Sequence, residues 1–257
     1  MNEKSPARVA LVTGGFSGIG FAAATQLARD GVSVALGGRT VTTDRLNELS
    51  QSGSAVWGQK LDVRDPESVR KFVISVEERL GPVDILVNSA GIGTQQQVRD
   101  HDEQKWRDVI DTNLTGCFYM MRTCLPGMME RKWGRIVSVG STAARTAMPG
   151  YAAYCASKSG LLGLTRAVAL EGAAHGVSAT MVSPTWVDTE MMNKSFAAKA
   201  RTKQSSVAQE MHAYISESPQ KRLVQPAEIG ALIAFLCREE SLGITMEDIQ
   251  VNAAAWW

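Results

Sequence analysis

A tyrosine and a lysine stand four residues apart, in Tyr154-Cys155-Ala156-Ser157-Lys158, at the start of a long helical pattern. The i, i+4 spacing places the phenol and the ammonium on one face of a helix. A free phenol has a pKa of about 10 and exchanges protons poorly near neutrality, whereas a neighbouring cation favours the phenolate and lowers that pKa. We therefore expect Tyr154 to act as a general acid or base tuned by Lys158.

Two more polar residues could complete this chemistry. Ser141 follows the apolar run Arg135 to Val139 and can direct a hydroxyl donor at the oxygen of a carbonyl under reduction. Asn113 is an amide inside an otherwise apolar helical pattern, which is unfavourable unless the amide has a partner. Each residue alone is more often a packing or surface residue than a catalytic one. Their joint occurrence predicts a catalytic set of Asn113, Ser141, Tyr154 and Lys158.

A glycine-rich turn, Thr13 to Gly20, lies between the first apolar run and a helical pattern from Phe21 to Arg29. Glycines at a strand-to-helix junction allow a tight turn and bring backbone N–H groups against a pyrophosphate at the positive end of the helix. The spacing is Gly-x-x-x-Gly-x-Gly, and its position between strand and helix favours dinucleotide binding over simple packing. The predicted contacts are Gly14, Ser17, Gly18, Ile19 and Gly20.

The end of the second apolar run indicates which dinucleotide is bound. The sequence there is Leu36-Gly37-Gly38-Arg39-Thr40, and the first carboxylate is Asp44. An acidic residue would bind the two ribose hydroxyls of NAD(H) and repel a 2′-phosphate, whereas an arginine after a small residue can bind that phosphate. Arg39 therefore favours NADP(H), with NAD(H) as the open alternative.

Short apolar runs alternate with helical patterns along most of the chain. This alternation, and the lack of strict polar alternation inside the runs, is typical of a parallel sheet buried on both faces. We predict an α/β, doubly wound Rossmann fold with a seven-stranded parallel sheet flanked by helices on both faces. Residues 1–257 show no linker and form one predicted domain. The predicted strands are Arg8–Thr13, Val32–Leu36, Ala55–Leu61, Val83–Asn88, Arg135–Val139, Val177–Val182 and Thr245–Val251.

Composition limits the partners and the compartment. The 27 Lys+Arg and 26 Asp+Glu leave a net charge of +1, so neither nucleic acid nor an anionic membrane has a basic surplus to bind. The longest apolar run, Ile229 to Cys237, is far shorter than the roughly 20 residues of a membrane span. The four cysteines lack CxxC spacing, so we expect reduced core thiols and no metal site. These features indicate a cytoplasmic protein.

The chain resembles the short-chain dehydrogenases/reductases, in the compact branch that includes 3-oxoacyl-carrier-protein reductases and polyketide ketoreductases. The resemblance covers nearly the whole chain. It rests on Thr13 to Gly20, Asp62-Val63, Asn88-Ser89-Ala90-Gly91, Asn113, Ser141, Tyr154 with Lys158, and Pro184 through Thr189.

The resemblance implies a role for each matching residue. Tyr154 would be the acid in reduction and the base in oxidation, and Lys158 would also bind the nicotinamide ribose. Ser141 would polarise the substrate carbonyl, and Asn113 would hold a water that relays protons. The implied cofactor contacts are Asp62 at the adenine amino group, Val63, Asn88 and Gly91 along the cleft, and Pro184, Val187 and Thr189 near the nicotinamide.

The sequence departs from the family pattern at several positions. Ser89 replaces a usual Asn, and Thr185 replaces the Gly of a usual Pro-Gly beside the nicotinamide. Phe16 stands where a small or basic residue is common. The usual Asp-Gly-Gly turn near the carboxyl end is Asn252-Ala253-Ala254 here, followed by Ala255-Trp256-Trp257. We expect these last residues to shape an individual substrate pocket or subunit contact.

The predicted function is NADP(H)-dependent hydride transfer between a nicotinamide and a ketone or secondary alcohol. Mostly apolar segments form the predicted substrate wall and suit a medium-sized cyclic, aromatic or acyl substrate; they are Ile92–Gln96, Ala143–Tyr151, Trp186 and Met192. Two alternatives stay open: an NAD-dependent dehydrogenase that oxidises a cyclic alcohol or dihydrodiol, and a non-catalytic dinucleotide-sensing protein.

Two regions outside the predicted core are expected to form a substrate lid and a subunit interface. The polar, weakly apolar stretch around 189–222 predicts a mobile substrate lid. Extra apolar positions in helices predicted over Asp102–Met129 and Tyr151–Leu170 suit a symmetric interface, and the resemblance implies a homotetramer. The proposed interface residues are Phe118, Met121, Leu161 and Leu164.

Overall fold

The computed structural model describes residues 7–255 and contains one seven-stranded parallel sheet in the order β3-β2-β1-β4-β5-β6-β7. The predicted fold class is confirmed. The strands are β1 Val9–Thr13, β2 Ser33–Gly38, β3 Val56–Lys60, β4 Ile85–Asn88, β5 Gly134–Val139, β6 Val177–Pro184 and β7 Asp248–Val251. The helices are α1 Gly18–Arg29, α2 Thr43–Ser50, α3 Pro66–Leu80, α4 Glu103–Ile110, α5 Gly116–Glu130, α6 Ala152–Ala173, α7 Glu190–Lys203, α8 Val207–Glu217 and α9 Pro226–Leu236.

The strand order reverses between β1 and β4. β1 pairs in parallel with β2 on one side and with β4 on the other. The chain therefore leaves β1 toward one edge of the sheet and later returns to build the other half. Such a reversal opens a crevice at the carboxyl ends of the strands, where ligands of open α/β sheets bind.

Two apolar cores cover the two faces of the sheet. One packs α3, α5 and α6 against the strands, with Phe72, Met120 and Leu161 fully buried. The other packs α1 and α9 on the opposite face through residues such as Leu27 and Ile233. Burial on both faces explains why the strands read as continuous apolar runs.

All seven predicted strands exist, with ends shifted by at most a few residues. The helix predicted over Asp102–Met129 is interrupted by a π-helical segment, Asp111–Thr115, between α4 and α5. The prediction that Met121 and Leu161 lie at a subunit interface is wrong, because both side chains are buried in the core of the chain itself. Phe118 is 41% exposed and Leu164 is partly buried.

The stretch predicted as a lid forms a helical hairpin, α7 and α8, which we call the lid hairpin (189–222). It has a small apolar core of its own, made of Met192, Phe196, Tyr214 and Leu223 with Trp186 packed against it. The Trp186 and Phe196 ring centroids lie 5.0 Å apart. The sequence pattern is weakly apolar because these few side chains are divided between two short helices.

At the carboxyl end, Ala253 and Ala254 have φ angles of 51° and 61°, the left-handed region that favours glycine. The two alanines therefore adopt a backbone conformation that glycine, the usual residue of the family pattern, adopts more readily. Trp256 and Trp257 lie outside the described residues.

No helix within residues 7–255 is both long and apolar enough to span a bilayer. The same residues contain no cluster of His, Cys, Asp or Glu suited to a metal ion.

Candidate active site

The glycine turn connects β1 to α1 at the strand-order reversal. Gly14 has a φ of 63°, and a Cβ there would lie 3.0 Å from the backbone of Ala90. A Cβ on Gly20 would lie 2.5 Å from the Gly14 carbonyl oxygen. Glycine is therefore required at both positions by close backbone approach. Gly18 and Ile19, the first residues of α1, line the cavity, where the N–H groups of a helix N-terminus can bind an anionic ligand.

Thr13 connects this turn to the loop after β4. Its side chain is 1% exposed, and its Oγ1 accepts hydrogen bonds from the N–H groups of Ser89 and Ala90 at 3.0 and 3.1 Å. Thr13 has no predicted role of its own, and a hydroxyl at the end of an apolar strand is the sequence signal that could indicate one.

A cavity of about 520 Å³ runs from the glycine turn to Tyr154. It brings together most of the residues predicted to bind the cofactor or to catalyse. Those that line it are Gly14, Ser17, Gly18, Ile19, Arg39, Gly91, Ser141, Tyr154, Lys158, Pro184, Val187 and Thr189. The remaining predicted residues, Gly20, Asp62, Val63, Asn88 and Asn113, are not among its lining residues.

Several of these outlying residues have local roles. Val63 packs against Gly116, where a Cβ would lie 2.7 Å from the Val63 side chain. Asp62 accepts a 2.7 Å hydrogen bond from the guanidinium of Arg64, which lowers the pKa of the Asp62 carboxyl. Asn88 ends β4 with a buried side-chain amide that has no hydrogen-bond partner in the described structure. Such a buried amide beside the crevice is compatible with a polar ligand.

Asn113 connects the loop after β4 to α6. Its Oδ1 accepts from the Ile92 N–H at 2.9 Å, and its Nδ2 donates to the Ile92 carbonyl at 2.9 Å and to Ser157 Oγ at 3.1 Å. Ser157 in turn donates to the Tyr154 carbonyl at 2.7 Å. The expected partner for a buried amide is thus present, and Ser157, which has no predicted role, connects Asn113 to the Tyr154 backbone.

The phenol and the ammonium share one face of α6, as the spacing predicts. Lys158 Nζ lies 5.7 Å from the centroid of the Tyr154 ring. Lys158 is 5% exposed and donates a 2.7 Å hydrogen bond to the Val139 carbonyl oxygen. Burial lowers the pKa of Lys158 to about 8, partly offset by the nearby Cys117 thiol.

The expected direction of the Tyr154 shift is wrong for this structure. Burial raises the pKa of Tyr154, and only a hydrogen bond with Ser141 acts in the lowering direction. Burial of the phenol is the largest cause of the shift, and the Lys158 ammonium donates its hydrogen bond to the Val139 carbonyl oxygen. An uncharged Tyr154 is the form that can give a proton to a carbonyl oxygen.

Ser141 is held at the mouth of the cavity. It precedes a short 3-10 turn, Thr142–Ala144, and its Oγ accepts from the Ala143 N–H at 3.2 Å. Arg145 at the end of this turn pairs with the buried Asp248 of β7 at 2.6 Å. These contacts anchor the loop that carries Ser141 to the sheet, and Ser141 also forms a hydrogen bond with Tyr154.

The short chain dehydrogenase family model matches residues 8–200. The chain belongs to this family. Among its relatives, 3-oxoacyl-[acyl-carrier-protein] reductase FabG of Vibrio cholerae is 35% identical over 97% of each chain. Acetoacetyl-CoA reductase of Allochromatium vinosum is 36% identical and covers 96% of this chain and 97% of its own. A crystal structure of a tryptophan variant of actinorhodin polyketide ketoreductase with NADPH has a TM-score of 0.93 at 34% identity, over 96% of each chain. The resemblance seen in the sequence is confirmed.

One departure from the family pattern has a structural reason in this short-chain dehydrogenase. The hydroxyl of Thr185, which replaces the usual glycine, lies 3.3 Å from the Tyr214 hydroxyl of the lid hairpin. Trp186, the next residue, packs on Phe196 of the same hairpin. The segment that follows β6 is therefore connected to the lid hairpin by a hydrogen bond and by aromatic packing.

The far end of the cavity matches the predicted substrate wall in part. Ile92, Met148, Tyr151, Trp186 and Met192 line it with apolar or aromatic surface. Met192 is the only residue of the lid hairpin in the predicted wall. Because the rest of the lid carries no motif, its other lining residues were missed; they are Glu190, Met191, Lys194, Ser195 and Ala198.

Proposed function

We propose that this short-chain dehydrogenase is an NADP(H)-dependent oxidoreductase that interconverts a ketone and a secondary alcohol. The observation that carries the proposal is a single cavity with the glycine turn and Arg39 at one end and Ser141, Tyr154 and Lys158 at the other. A site that merely sensed a dinucleotide would have no need of a buried lysine beside a phenol.

The residues present fit a bound dinucleotide. A Cβ on Gly14 or Gly20 would fill the backbone cradle at the start of α1, so the pyrophosphate would bind there. Arg39 is exposed at the end of β2 and suits a 2′-phosphate. The NADPH bound by the actinorhodin ketoreductase supports the same cofactor for this chain. When bound, the nicotinamide supplies the hydride.

The chain's own residues would then manage the oxygen and its proton. Ser141 donates a hydrogen bond to the substrate carbonyl, and Tyr154 gives its phenolic proton to that oxygen in reduction and takes it back in oxidation. Lys158 stabilises the resulting phenolate. Asn113 positions the Ile92 loop and α6, and the relay water implied by the family resemblance is a proposal for this residue.

The substrate we propose is a medium-sized acyl, cyclic or aromatic ketone. The apolar wall of Met148, Tyr151, Trp186 and Met192 supports it. The activities named for the relatives, on 3-oxoacyl carrier protein and acetoacetyl-CoA, are ketone reductions of this kind. We also propose a cytoplasmic homotetramer that works with a mobile lid over 189–222.

A panel of ketones and alcohols assayed with NADPH and NADH tests this function, alongside Arg39→Ala. We expect reduction with NADPH, and a loss of NADPH affinity of about 10- to 100-fold in Arg39→Ala without a change for NADH, because a charge-assisted hydrogen bond contributes about 1.5–3 kcal/mol. Arg29→Ala, at the exposed end of α1, is the charge-matched control. Equal affinity of Arg39→Ala and wild type for NADPH would favour the NAD-linked alternative, and binding without any turnover would favour the sensor.

A further inference from the structure

Phe16 packs under the end of β2, just outside the cofactor cavity. It lies inside the glycine turn but is only 9% exposed and belongs to the core on the α1 side of the sheet. A Cβ built on Gly38 would lie 2.9 Å from Phe16 Cδ2, and one built on Gly58 would lie 2.9 Å from Phe16 Cζ. The ring therefore lies against two glycines on the neighbouring strands β2 and β3.

Glycine is required at these two positions because the Phe16 ring leaves no room for a side chain. Gly38 and Gly58 are absent from the residues with positive φ, so their backbone conformation is one that any residue can adopt. A side chain at either position would have to displace an aromatic ring that is packed in the core. Interiors packed at crystal-like density resist such displacement.

Gly38 also occupies a decisive place for the cofactor. It is the last residue of β2 and precedes Arg39, which lines the cavity. In dinucleotide-binding folds, an acidic side chain at the end of the second strand binds the ribose 2′-hydroxyl of NAD(H), and a nearby arginine accommodates the 2′-phosphate of NADP(H). An acidic side chain that selects NAD(H) would have to replace Gly38, and its Cβ would collide with the Phe16 ring.

We propose that Phe16 determines cofactor specificity by filling the space that a side chain at position 38 would need. With no carboxylate possible there, Arg39 is the residue left to face the adenosine ribose. Phe16 acts through Gly38 and does not itself line the cavity. The inference rests on the proposed function, because it assumes that this cavity binds a nicotinamide dinucleotide.

The test is a set of variants with Gly38→Ala and Gly38→Asp, each made in the wild-type and in the Phe16→Ala background. The first readout is the melting temperature of each protein without cofactor. We expect Gly38→Ala to lower the melting temperature by a few degrees in the wild-type background, and by much less in the Phe16→Ala background. If Phe16→Ala does not fold, Phe16→Val replaces it, since valine also lacks the δ-carbon that meets position 38.

The second readout is the dissociation constant of NADPH and of NADH, measured by quenching of protein fluorescence. Gly38→Asp alone should weaken NADPH binding at least tenfold without a gain for NADH. Phe16→Ala/Gly38→Asp should bind NADH at least tenfold more tightly than Gly38→Asp alone. Gly243→Asp is the matched control, because a Cβ there meets no atom within 4 Å, and it should leave both affinities and the melting temperature unchanged.

Two results would overturn the inference while leaving the proposed function intact. One is an equal gain in NADH affinity from Gly38→Asp with and without Phe16. The other is an equal loss of melting temperature from Gly38→Ala in both backgrounds. A wild-type protein that binds neither nucleotide would instead refute the proposed function, and this inference with it.

Discussion

The glycine turn and the lid hairpin enclose the same cavity, but they are held in place very differently. The turn lies on a core that runs continuously under α1 and α9, and its glycines are fixed by backbone approach. The lid hairpin depends on a satellite core of four buried side chains and on its contacts with Thr185 and Trp186. We propose that the end of the cavity at the glycine turn, built into the main core, is rigid, whereas the end at the lid hairpin, with its small separate core, can open locally.

Two phenylalanines with nearly equal burial test this difference. Phe72 of α3 is 1% exposed in the main core, and Phe196 of α7 is 2% exposed in the lid core. Phe72→Ala should lower the free energy of global unfolding by about 3–5 kcal/mol. Phe196→Ala should change it little, while raising KM for the ketone and exposing residues 189–222 to limited proteolysis. Equal losses of global stability, measured by urea unfolding, would show that the lid belongs to the main cooperative unit.

Gly20→Ala tests the rigidity of the nucleotide end. A Cβ at this position meets the Gly14 carbonyl oxygen at 2.5 Å, so the turn must distort, at a cost of about 1–3 kcal/mol. We expect NADPH affinity to fall at least tenfold by fluorescence titration. The control is Gly163→Ala in α6, where the added Cβ meets nothing within 4 Å and should stabilise the helix by up to about 1 kcal/mol. An unchanged NADPH affinity in Gly20→Ala would mean that the turn can adapt.

Lys158, which lines the cavity between the glycine turn and the lid hairpin, should make the free energy of unfolding depend on pH. The pKa of Lys158 is about 8, below its ordinary 10.5. The unfolded chain therefore binds more protons between these values, and the free energy of unfolding should rise with pH across this window. The contribution is up to about 3 kcal/mol at 1.36 kcal/mol per pKa unit. Lys158→Met should lack this rise, and Lys71→Met, an exposed lysine on α3, should keep it. The free energy of unfolding is measured with urea from pH 7.5 to 10. The same rise with pH in wild type and in Lys158→Met would contradict the lowered pKa of Lys158.

The features that could be predicted from the sequence are those encoded by residues close together in the chain. Apolar runs gave all seven strands, and the Gly14-to-Gly20 spacing and the Tyr154–Lys158 spacing each lie within one turn or one helix. Such local patterns carry their own geometry. The fold class and the residues at both ends of the cavity follow from them.

The rest depends on contacts between distant segments. Phe196 and Tyr214 form one core from two helices, Asn113 finds its partners at Ile92 and Ser157, and Met121 and Leu161 turn inward rather than toward a partner. The pKa of Tyr154 depends on burial and on a hydrogen bond with Ser141. None of these pairings has a fixed spacing, so no sequence window contains them.

The most direct test of the account is the turnover of Tyr154→Phe. The substitution removes one hydroxyl and leaves the ring. We predict that kcat for ketone reduction falls by about 10²- to 10⁴-fold, the usual contribution of a positioned general acid, while NADPH affinity stays within about twofold. Tyr119→Phe, the same change on α5 away from the cavity, should keep full turnover. Near-wild-type turnover of Tyr154→Phe across the ketone panel would contradict the claim that this phenol supplies the proton.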